Sequence, residues 1–349
     1  MSPIPKPFPK NTETLRLSNA ILAEKRFIKA VYAAIHSFSP RSLALLLASR
    51  RSRNLLRNRW RSFECKSPLS ECCRLGILEA VQLLCEDIEI SPHDVVIQSD
   101  SCLHQAAKGG HLEVVKYLVE RARINASETI QCTKVNAVHS AAKRGHLPVV
   151  SYLVQSCHVD PNAVDFMGRS ALHHAAENGH TKVVRFLCEK GNVNPALLDG
   201  KGRSSLELAS RSGYTEIIRY LVESSGILSP SGYRTKKILL DALMVSCEQG
   251  NIDIVSYFIS RVEGIESGFS YLERVSCVLK AVYNGHWNVV QLLLPWIITD
   301  ENVMSTVFRT AATKGQTDIL KYLIRVSRPT NVFLPDSVLS LFVLVYLFP

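Results

Sequence analysis

The chain has 349 residues, of which 46% are hydrophobic and 21% are charged, and its 41 basic against 31 acidic residues give a net charge of +10. This composition is that of an ordinary folded soluble protein, and it excludes collagen-like, low-complexity and highly charged disordered chains. Ten cysteines are scattered without any C-x-x-C pair, so we expect small buried thiols in a reducing compartment rather than a disulfide framework.

Residues 1–25 open the chain with a polar segment that is interrupted by Pro3, Pro5, Pro7 and Pro9. No apolar core of a secretory signal is present in this segment. We therefore predict a disordered arm over residues 1–25, and we expect the protein in the cytoplasm or, alternatively, in the nucleus.

Residues 26–66 combine a degenerate helical unit or cap with an arginine-rich segment. Apolar runs at 31–34 and 43–47 suggest a divergent copy of the units described below. A candidate patch for nucleic acid or phosphoinositide, or a nuclear-import signal, is formed by Arg50, Arg51, Arg53, Arg57, Arg59 and Arg61. We favour a solvated helix face instead, because only Trp60 and Phe63 are available there for base stacking.

The middle of the chain repeats one short phrase at a nearly fixed interval. Copies run over 103–115, 138–150 and 172–184, each with a histidine, two alanines, a glycine and two valines. Matching glycines are 34, 35, 34, 34, 37, 35 and 30 residues apart, at Gly76, Gly110, Gly145, Gly179, Gly213, Gly250, Gly285 and Gly315. A fixed period indicates stacked units, which favours a partner-binding surface over a single catalytic pocket.

Each element of the phrase has a physical reason. Predicted N-caps, whose side-chain oxygens accept from exposed amides at the start of the first helix, are Ser101, Asn136, Ser170 and Ser204. The glycine is predicted to end that helix in the left-handed conformation. The paired valines mark the buried face of a second helix. One helix pair cannot bury that face alone, so neighbouring units must cover it.

The phrase resembles the repeat of the ankyrin family, and the best copy runs from Ser170 through Leu187. The resemblance is strong over 101–222 and degenerate over 68–100 and 238–326, so we predict a repeat array over residues 67–328. It implies an all-α, ankyrin-type helix-turn-helix solenoid with short hairpin loops and about eight to nine stacked repeats. In this family the first histidine of the phrase is a structural hydrogen-bonding residue. Partners of the family usually meet the hairpin tips and the exposed face of the first helices, which line a concave groove.

Two segments depart from the period. The 37-residue spacing predicts an insertion loop over 224–237, which is either a partner-binding loop or a slack joint. Residues 329–349 are predicted to be an apolar tail or cap. The apolar stretch 338–348 is shorter than the roughly 20 residues that cross a bilayer, so we favour a cap or a truncated larger protein over a membrane contact.

No catalytic or metal-binding motif emerges from the sequence. The histidines recur once per unit, so their copies lie about 10 Å apart by helix-packing distances, too far for shared ligation. The motifs H-E-x-x-H, G-x-x-x-x-G-K-[ST] and G-x-S-x-G are absent. We therefore predict no enzyme activity, no metal, no cofactor and no small-molecule substrate.

Function is expected at the positions that the repeat leaves free, on hairpin tips and exposed first-helix faces. The predicted partner-binding residues are Lys108, Lys143, Arg144, Phe166, Met167, Arg169, His174, Lys201, Arg203 and Arg211. Their cations predict a protein partner of acidic character rather than nucleic acid or a membrane. An aromatic and a methionine amid arginines are typical of a binding hot spot, with ordinary solvated surface as the alternative. A further alternative is the partner-selecting arm of a larger enzyme or signalling protein.

Overall fold

The structure is a computed structural model that describes residues 12–59, 67–92, 101–223, 233–261, 269–297 and 300–327. The chain divides into two compact bodies, Met1–Asp160 and Pro161–Pro349. The described residues contain helices and isolated β-bridges but no β-strand, which confirms the predicted all-α fold class.

The described helices of the N-terminal body are α1 Thr12–His36, α2 Pro40–Leu46, α3 Arg50–Arg59, α4 Pro68–Leu75, α5 Leu78–Gln82, α6 Cys102–Gly109, α7 Leu112–Glu120, α8 Ala137–Arg144 and α9 Leu147–Ser151. The helices α5 and α9 each continue into one π-helical turn, Leu83–Asp87 and Tyr152–Ser156.

The described helices of the C-terminal body are α10 Ala171–Glu177, α11 Thr181–Glu189, α12 Ser205–Ser212, α13 Thr215–Glu223, α14 Tyr233–Gln249, α15 Ile252–Arg261, α16 Tyr271–Tyr283, α17 Trp287–Leu293, α18 Glu301–Thr313 and α19 Thr317–Ser327. A short 3₁₀ turn, Leu294–Trp296, follows α17. None of the helices in the described part of the chain combines the length and the apolar character needed to cross a membrane.

Each glycine of the sequence period stands between two helices in the left-handed conformation. Gly110 has φ 79°, and its N–H and that of His111 donate back to the carbonyls of Ala107 and Ala106, at 3.2 and 3.1 Å. Positive φ angles recur at Gly76, Gly145, Gly179, Gly213, Gly250, Gly285 and Gly315. The predicted role of the glycine as a helix terminator is therefore confirmed at each copy.

Phe38 takes the glycine's place in the turn between α1 and α2. It has φ 52°, its N–H donates to the Ile35 carbonyl, and the next N–H, of Ser39, donates to the Ala34 carbonyl. This is the same hydrogen-bond pattern as at Gly110, although an L-residue is strained in that conformation. The turn supports the interpretation of α1 and α2 as a divergent helix pair.

The helix pairs stack on one another within each body. First helices pack in the orders α4–α6–α8 and α10–α12–α14–α16–α18, and second helices in the orders α5–α7–α9 and α11–α13–α15–α17–α19. The paired alanines of the phrase, such as Ala106 and Ala107, are fully buried between first helices. Small side chains at these positions allow close helix packing, and the burial of apolar surface stabilises the stack.

A histidine after one glycine covers the glycine of the preceding pair. The Nε2–H of His146 donates to the Lys108 carbonyl at 3.1 Å, and a Cβ on Gly110 would lie 2.4 Å from His146 Nδ1. The same arrangement joins His111 to Gly76 and His286 to Gly250. The glycine is thus required for its φ angle and also for the space above it.

Tyrosines on the second helices bond to glutamates of the preceding pair. Tyr257 Oη donates to Glu223 Oε1 at 3.0 Å, and equivalent bonds join Tyr117 to Glu86, Tyr152 to Glu120 and Tyr220 to Glu189. Burial, followed by other causes that include the Glu189 carboxylate, raises the pKa of Tyr220 to about 12. The Tyr220 hydroxyl therefore stays a protonated donor, and the four tyrosine–glutamate bonds fix the register of successive second helices.

Replacing Tyr257 with Phe is expected to lower the free energy of unfolding by about 1 kcal/mol, because the Glu223 carboxylate loses a donor while the ring stays in place. Urea denaturation measures the difference. The matched control is Tyr322→Phe, since the Tyr322 ring packs edge-on against Trp287 and its hydroxyl has no hydrogen bond within the described residues. Equal losses in the two variants would refute the role of the hydroxyl.

The predicted domain boundaries differ from the structure in two places. The arm predicted over 1–25 is helical from Thr12 onward, because the prolines end at Pro9 and good helix formers such as leucine, alanine and glutamate follow. The loop predicted over 224–237 is helical from Tyr233 onward, within α14. Residues 1–11, 224–232 and the predicted tail 329–349 lie outside the described residues.

Candidate interaction surface

Two hairpin tips in the C-terminal body are built around buried carboxylates. The first tip, residues 164–170, is closed by a bridge between Val164 and Ser170. Inside it, Asp165 Oδ1 accepts the N–H groups of Met167 and Arg169 at 2.8 and 2.9 Å. Gly168 supplies the left-handed residue of the turn, with φ 72°. One carboxylate oxygen therefore holds the main chain of the whole tip.

The second tip, residues 198–204, repeats this design with a second cation added. Asp199 Oδ1 accepts the N–H groups of Lys201 and Arg203, both at 2.9 Å. Its Oδ2 accepts Nε and Nη2 of Arg203 at 3.0 and 2.7 Å. Burial by itself would raise the pKa of Asp199, but the hydrogen bonds from Arg203 and the backbone outweigh it and hold the pKa below its usual range.

The two tips contact each other directly. The N–H of Gly200 donates to the Met167 carbonyl at 2.7 Å, and a Cβ on Gly168 would lie 2.7 Å from Gly200 N. Arg169 extends from the first tip between two acids, with Nη1 2.8 Å from Glu177 and Nε 3.6 Å from Asp199. The tips therefore form one continuous, internally bonded surface.

Three of the predicted partner-binding residues are exposed on this surface. Phe166 is 76% exposed and Met167 50%, and Lys201 of the adjoining tip is also exposed. Within the described residues the Lys201 ammonium has no ion-pair partner. An apolar pair beside an unpaired cation is thus presented on a fixed main chain.

Four other predicted residues pair with acidic side chains of the chain itself, and of these Arg211 remains exposed. His174, expected on the exposed face, is buried, and its Nε2 lies 2.9 Å from Asp165 Oδ2. Arg169 and Arg203 are bound to the acids of the tips, and Arg211 lies 3.6 Å from Glu207. The structure assigns these side chains to the support of the tips and of α12, and any contact with a partner stays a prediction.

The remaining predicted cations lie in the N-terminal body. Lys108 is exposed at the end of α6, and Lys143 and Arg144 are exposed at the end of α8. Because α6 packs against α8, these side chains lie at the same end of adjacent helices.

The arginine-rich segment is described only in part. Arg50 and Arg51 are exposed at the start of α3, and Arg53 is partly buried. Arg57 and Arg59 also belong to α3, whereas Arg61 lies outside the described residues.

One group of side chains superficially resembles a catalytic triad. Ser101 Oγ donates to Glu128 and lies 2.8 Å from His104 Nδ1. His104 Nε2, however, donates to the Val135 carbonyl of the next hairpin at 2.9 Å. Ser170 and His173 repeat the arrangement, with His173 Nε2 3.3 Å from the Arg203 carbonyl. A contact repeated in successive units joins each first helix to the next hairpin, which is the structural role expected for this histidine.

These histidines and the buried cysteines have the environments of packing groups, whereas Cys132, predicted to be a buried thiol, is exposed. Burial lowers the pKa of His173, so its imidazole is neutral. Burial also raises the pKa of the Cys72 and Cys188 thiols to about 12. Thiols held in this form are poor nucleophiles. Within the described ranges, no group of three or more histidine, cysteine or acidic side chains is placed to hold a metal ion.

Two structural features escaped the sequence analysis. Asp165 and Asp199 organise the tips, and the tyrosine–glutamate bonds join the second helices. A signal for both was available, since an aspartate stands three residues before a glycine in each tip and the tyrosines stand seven residues after the turn glycines. Both patterns repeat with the period of the chain.

The family model described as ankyrin repeats (3 copies) matches three overlapping segments, residues 30–129, 69–165 and 138–230. No curated protein matches the chain. The three segments together cover residues 30–230, which is more than half of the sequence. They include the histidine contacts at Gly76 and Gly110 and the two tips described above, and the chain belongs to the ankyrin repeat family.

Proposed function

We propose that the chain is a non-catalytic interaction module that binds another protein, of acidic character, through the paired tips of its C-terminal body. Ankyrin repeats are in general protein–protein interaction modules. The observation that supports this particular site is the exposure of Phe166 and Met167 on a main chain that Asp165 and Gly200 hold in place.

Large apolar side chains that are exposed on a fixed main chain suit binding for two reasons. Their contact area is removed from water only when a partner covers it. Because the tip is already ordered by internal hydrogen bonds, little backbone entropy is lost on association. Phe166 and Met167 therefore have the properties of the central residues of a hot spot.

The charge beside the pair favours an acidic partner. Arg169, Arg203 and their acidic neighbours neutralise one another within the tips. Lys201 alone among the tip cations has no ion-pair partner within the described residues, so an unpaired ammonium group lies beside the apolar pair. A partner segment with an apolar side chain next to a carboxylate would meet both features.

A second candidate function is anion binding at α3. The exposed Arg50 and Arg51 begin a helix whose sequence, RRSRNLLRNR, has no acidic residue. Binding of single-stranded nucleic acid that weakens steeply with salt and is lost in Arg50→Glu with Arg51→Glu would favour this function over the tips.

The double variant Phe166→Ala with Met167→Ala tests the proposed function. In affinity purification with the full chain, we expect the variant to lose the partner proteins that the unchanged chain captures, because truncating central hot-spot residues costs about 2 kcal/mol or more each. Unfolding should be little affected, since both side chains are exposed.

The matched control is Leu272→Ala, which removes another exposed apolar side chain, 74% accessible, at the start of α16. The control should retain the captured proteins. Retention of the same proteins by the Phe166 and Met167 variant would exclude the tips as the binding site.

A further inference from the structure

A row of cations marks equivalent positions on successive first helices of the N-terminal body. Arg74, Lys108 and Lys143 each stand two residues before the turn glycine, on α4, α6 and α8. Arg144 extends the row by one residue on α8. All four side chains are exposed, and we call these residues the basic row.

The main chain beneath the row is held in register. His111 Nε2 donates to the Arg74 carbonyl at 2.9 Å, and His146 Nε2 donates to the Lys108 carbonyl at 3.1 Å. Each histidine thus fixes the backbone of a row residue to the next helix pair. The spacing of the row is therefore a property of the fold rather than of mobile side chains.

The charge of the row is only partly balanced by nearby acids. Arg74 is paired with Glu71 on its own helix, at 2.6 Å. The sequences of α6 and α8, CLHQAAKG and AVHSAAKR, contain no acidic residue. Glu113 on the intervening α7 is paired with Lys116 at 3.0 Å. Lys108 and Arg144 have no ion-pair partner within the described residues.

The interval between the cations points to the form of the ligand. Packed helices lie about 8–10 Å apart, so the row presents one cationic position at about that interval. An extended segment in the polyproline II conformation has three residues per turn and rises about 3.1 Å per residue, so carboxylates at every third residue lie on one face and recur at about 9 Å. A helical ligand reaches the same interval only with one carboxylate in every seven residues, at 1.5 Å per residue.

We propose that the basic row binds an extended acidic segment of a partner protein, with carboxylates at every third residue facing Arg74, Lys108 and the Lys143–Arg144 pair. This inference rests on the proposed function, because it supplies the chemistry of the acidic partner. It concerns a surface of the N-terminal body and makes no use of the tips.

Fluorescence anisotropy with labelled synthetic peptides and the full chain tests the inference. The in-register peptide has aspartates at positions 1, 4 and 7 with serine and glycine between them, and the permuted peptide has the same composition with the three aspartates adjacent. We expect the in-register peptide to bind about tenfold more tightly than the permuted one, since only its charges match the fixed spacing. Both affinities should decrease as the salt concentration is raised from about 50 to about 200 mM.

Charge variants locate the binding. Lys108→Gln and Arg144→Gln should each lower the affinity for the in-register peptide severalfold. Lys108→Glu should lower it more than Lys108→Gln does. Lys116→Gln is the matched control, because it removes a lysine from the same body but from the second helix α7, and it should leave the affinity unchanged. Thermal unfolding of each variant confirms that the glutamine forms remain folded.

Equal affinity for both peptides would overturn the proposed register, as would tighter binding of a helical peptide with aspartates seven residues apart. If single-stranded DNA of equal charge binds more tightly than the peptide, the ligand of the basic row is a nucleic acid and the peptide proposal is overturned. If no peptide binds while the Phe166 and Met167 variant still loses its partner, the row is refuted and the proposed function stands. If the in-register peptide binds while that variant keeps its partner, the tips are refuted and the row stands.

Discussion

Replacing Gly110 with Ala is expected to lower the free energy of unfolding by about 2–3 kcal/mol. Two independent costs add at this position. An alanine at φ 79° is strained by about 1–2 kcal/mol. Its Cβ would also lie 2.4 Å from His146 Nδ1, so the ring must move and weaken its bond to the Lys108 carbonyl, which is worth about 1 kcal/mol more. Urea denaturation followed by circular dichroism measures the sum.

The chain offers a control that separates the two costs. Gly315 occupies the equivalent turn of a later helix pair with φ 67°, but no atom of the described residues lies within 4 Å of the Cβ that an alanine would add. Gly315→Ala should therefore cost only the conformational strain, about 1–2 kcal/mol. The excess at Gly110 should disappear when His146 is also replaced by Ala. An equal loss at the two glycines would show that the histidine contact contributes nothing to the stack.

The glycines illustrate what could be predicted from sequence. Their role depends on the conformation of one residue and on a repeat that is visible in the sequence. The helix pairs, their turns and the buried alanines could therefore be predicted from the repeat alone. The caps were predicted with more mixed success. Asn136 and Ser204 accept the expected N–H groups, at 3.0 and 3.1 Å, whereas Ser101 bonds to Glu128 and His104 instead. This change of hydrogen-bond partner depends on Glu128, which is 27 residues away and is not considered when a cap is predicted from neighbouring residues.

The tips show where sequence reasoning failed. Helical periodicity placed His174 on an exposed face, but it takes no account of a hairpin that folds over the helix and brings Asp165 within 2.9 Å. Arg169 and Arg203 were expected to be available to a partner, because the sequence does not show which acidic side chains the folded hairpins bring beside them. In sequence they are cations near a glycine; in the structure each is bound to a buried aspartate. The side chains that remain available are the ones without a complementary group nearby, and that depends on three-dimensional contacts.

The tip residues therefore fall into two groups, the supports, which hold the tip in shape, and the contact residues, which remain accessible to a partner. Asp199 pairs with Arg169 and Arg203, and Asp165 accepts main-chain N–H groups of its own tip and lies 2.9 Å from His174. Partly buried ionic groups of this kind are stable only as a set. Phe166, Met167 and Lys201 contribute little to the fold and remain accessible. A substitution among the supports should therefore reduce stability and, through the geometry of the tip, also binding. A substitution among the contact residues should reduce binding alone.

Asp199→Asn is the sharpest test of the supports, and we expect it to lower the free energy of unfolding by about 3 kcal/mol. The Asp199 side chain is only 1% exposed and accepts four hydrogen bonds, three of them from Arg203, through its main-chain N–H, Nε and Nη2. An amide at this position loses the charge that balances Arg203 and Arg169, and breaking a buried ion pair from one side costs about 3–5 kcal/mol. Asp253→Asn, on the exposed first turn of α15, is the control and should cost less than about 0.5 kcal/mol.

The pH dependence of the same variant gives a second, independent readout. The pKa of Asp199 in the folded protein lies below its ordinary value, so in acid the unfolded chain takes up the proton first. The stabilisation by this carboxylate is therefore complete above the ordinary aspartate pKa, about 3.9, and is lost as the pH falls through the folded-state value. The difference in unfolding free energy between unchanged protein and Asp199→Asn should accordingly narrow below about pH 4. A difference that stays constant down to pH 3 would mean that the charge of Asp199 does not support the tips, and the pre-organisation of Phe166 and Met167 would then need another cause.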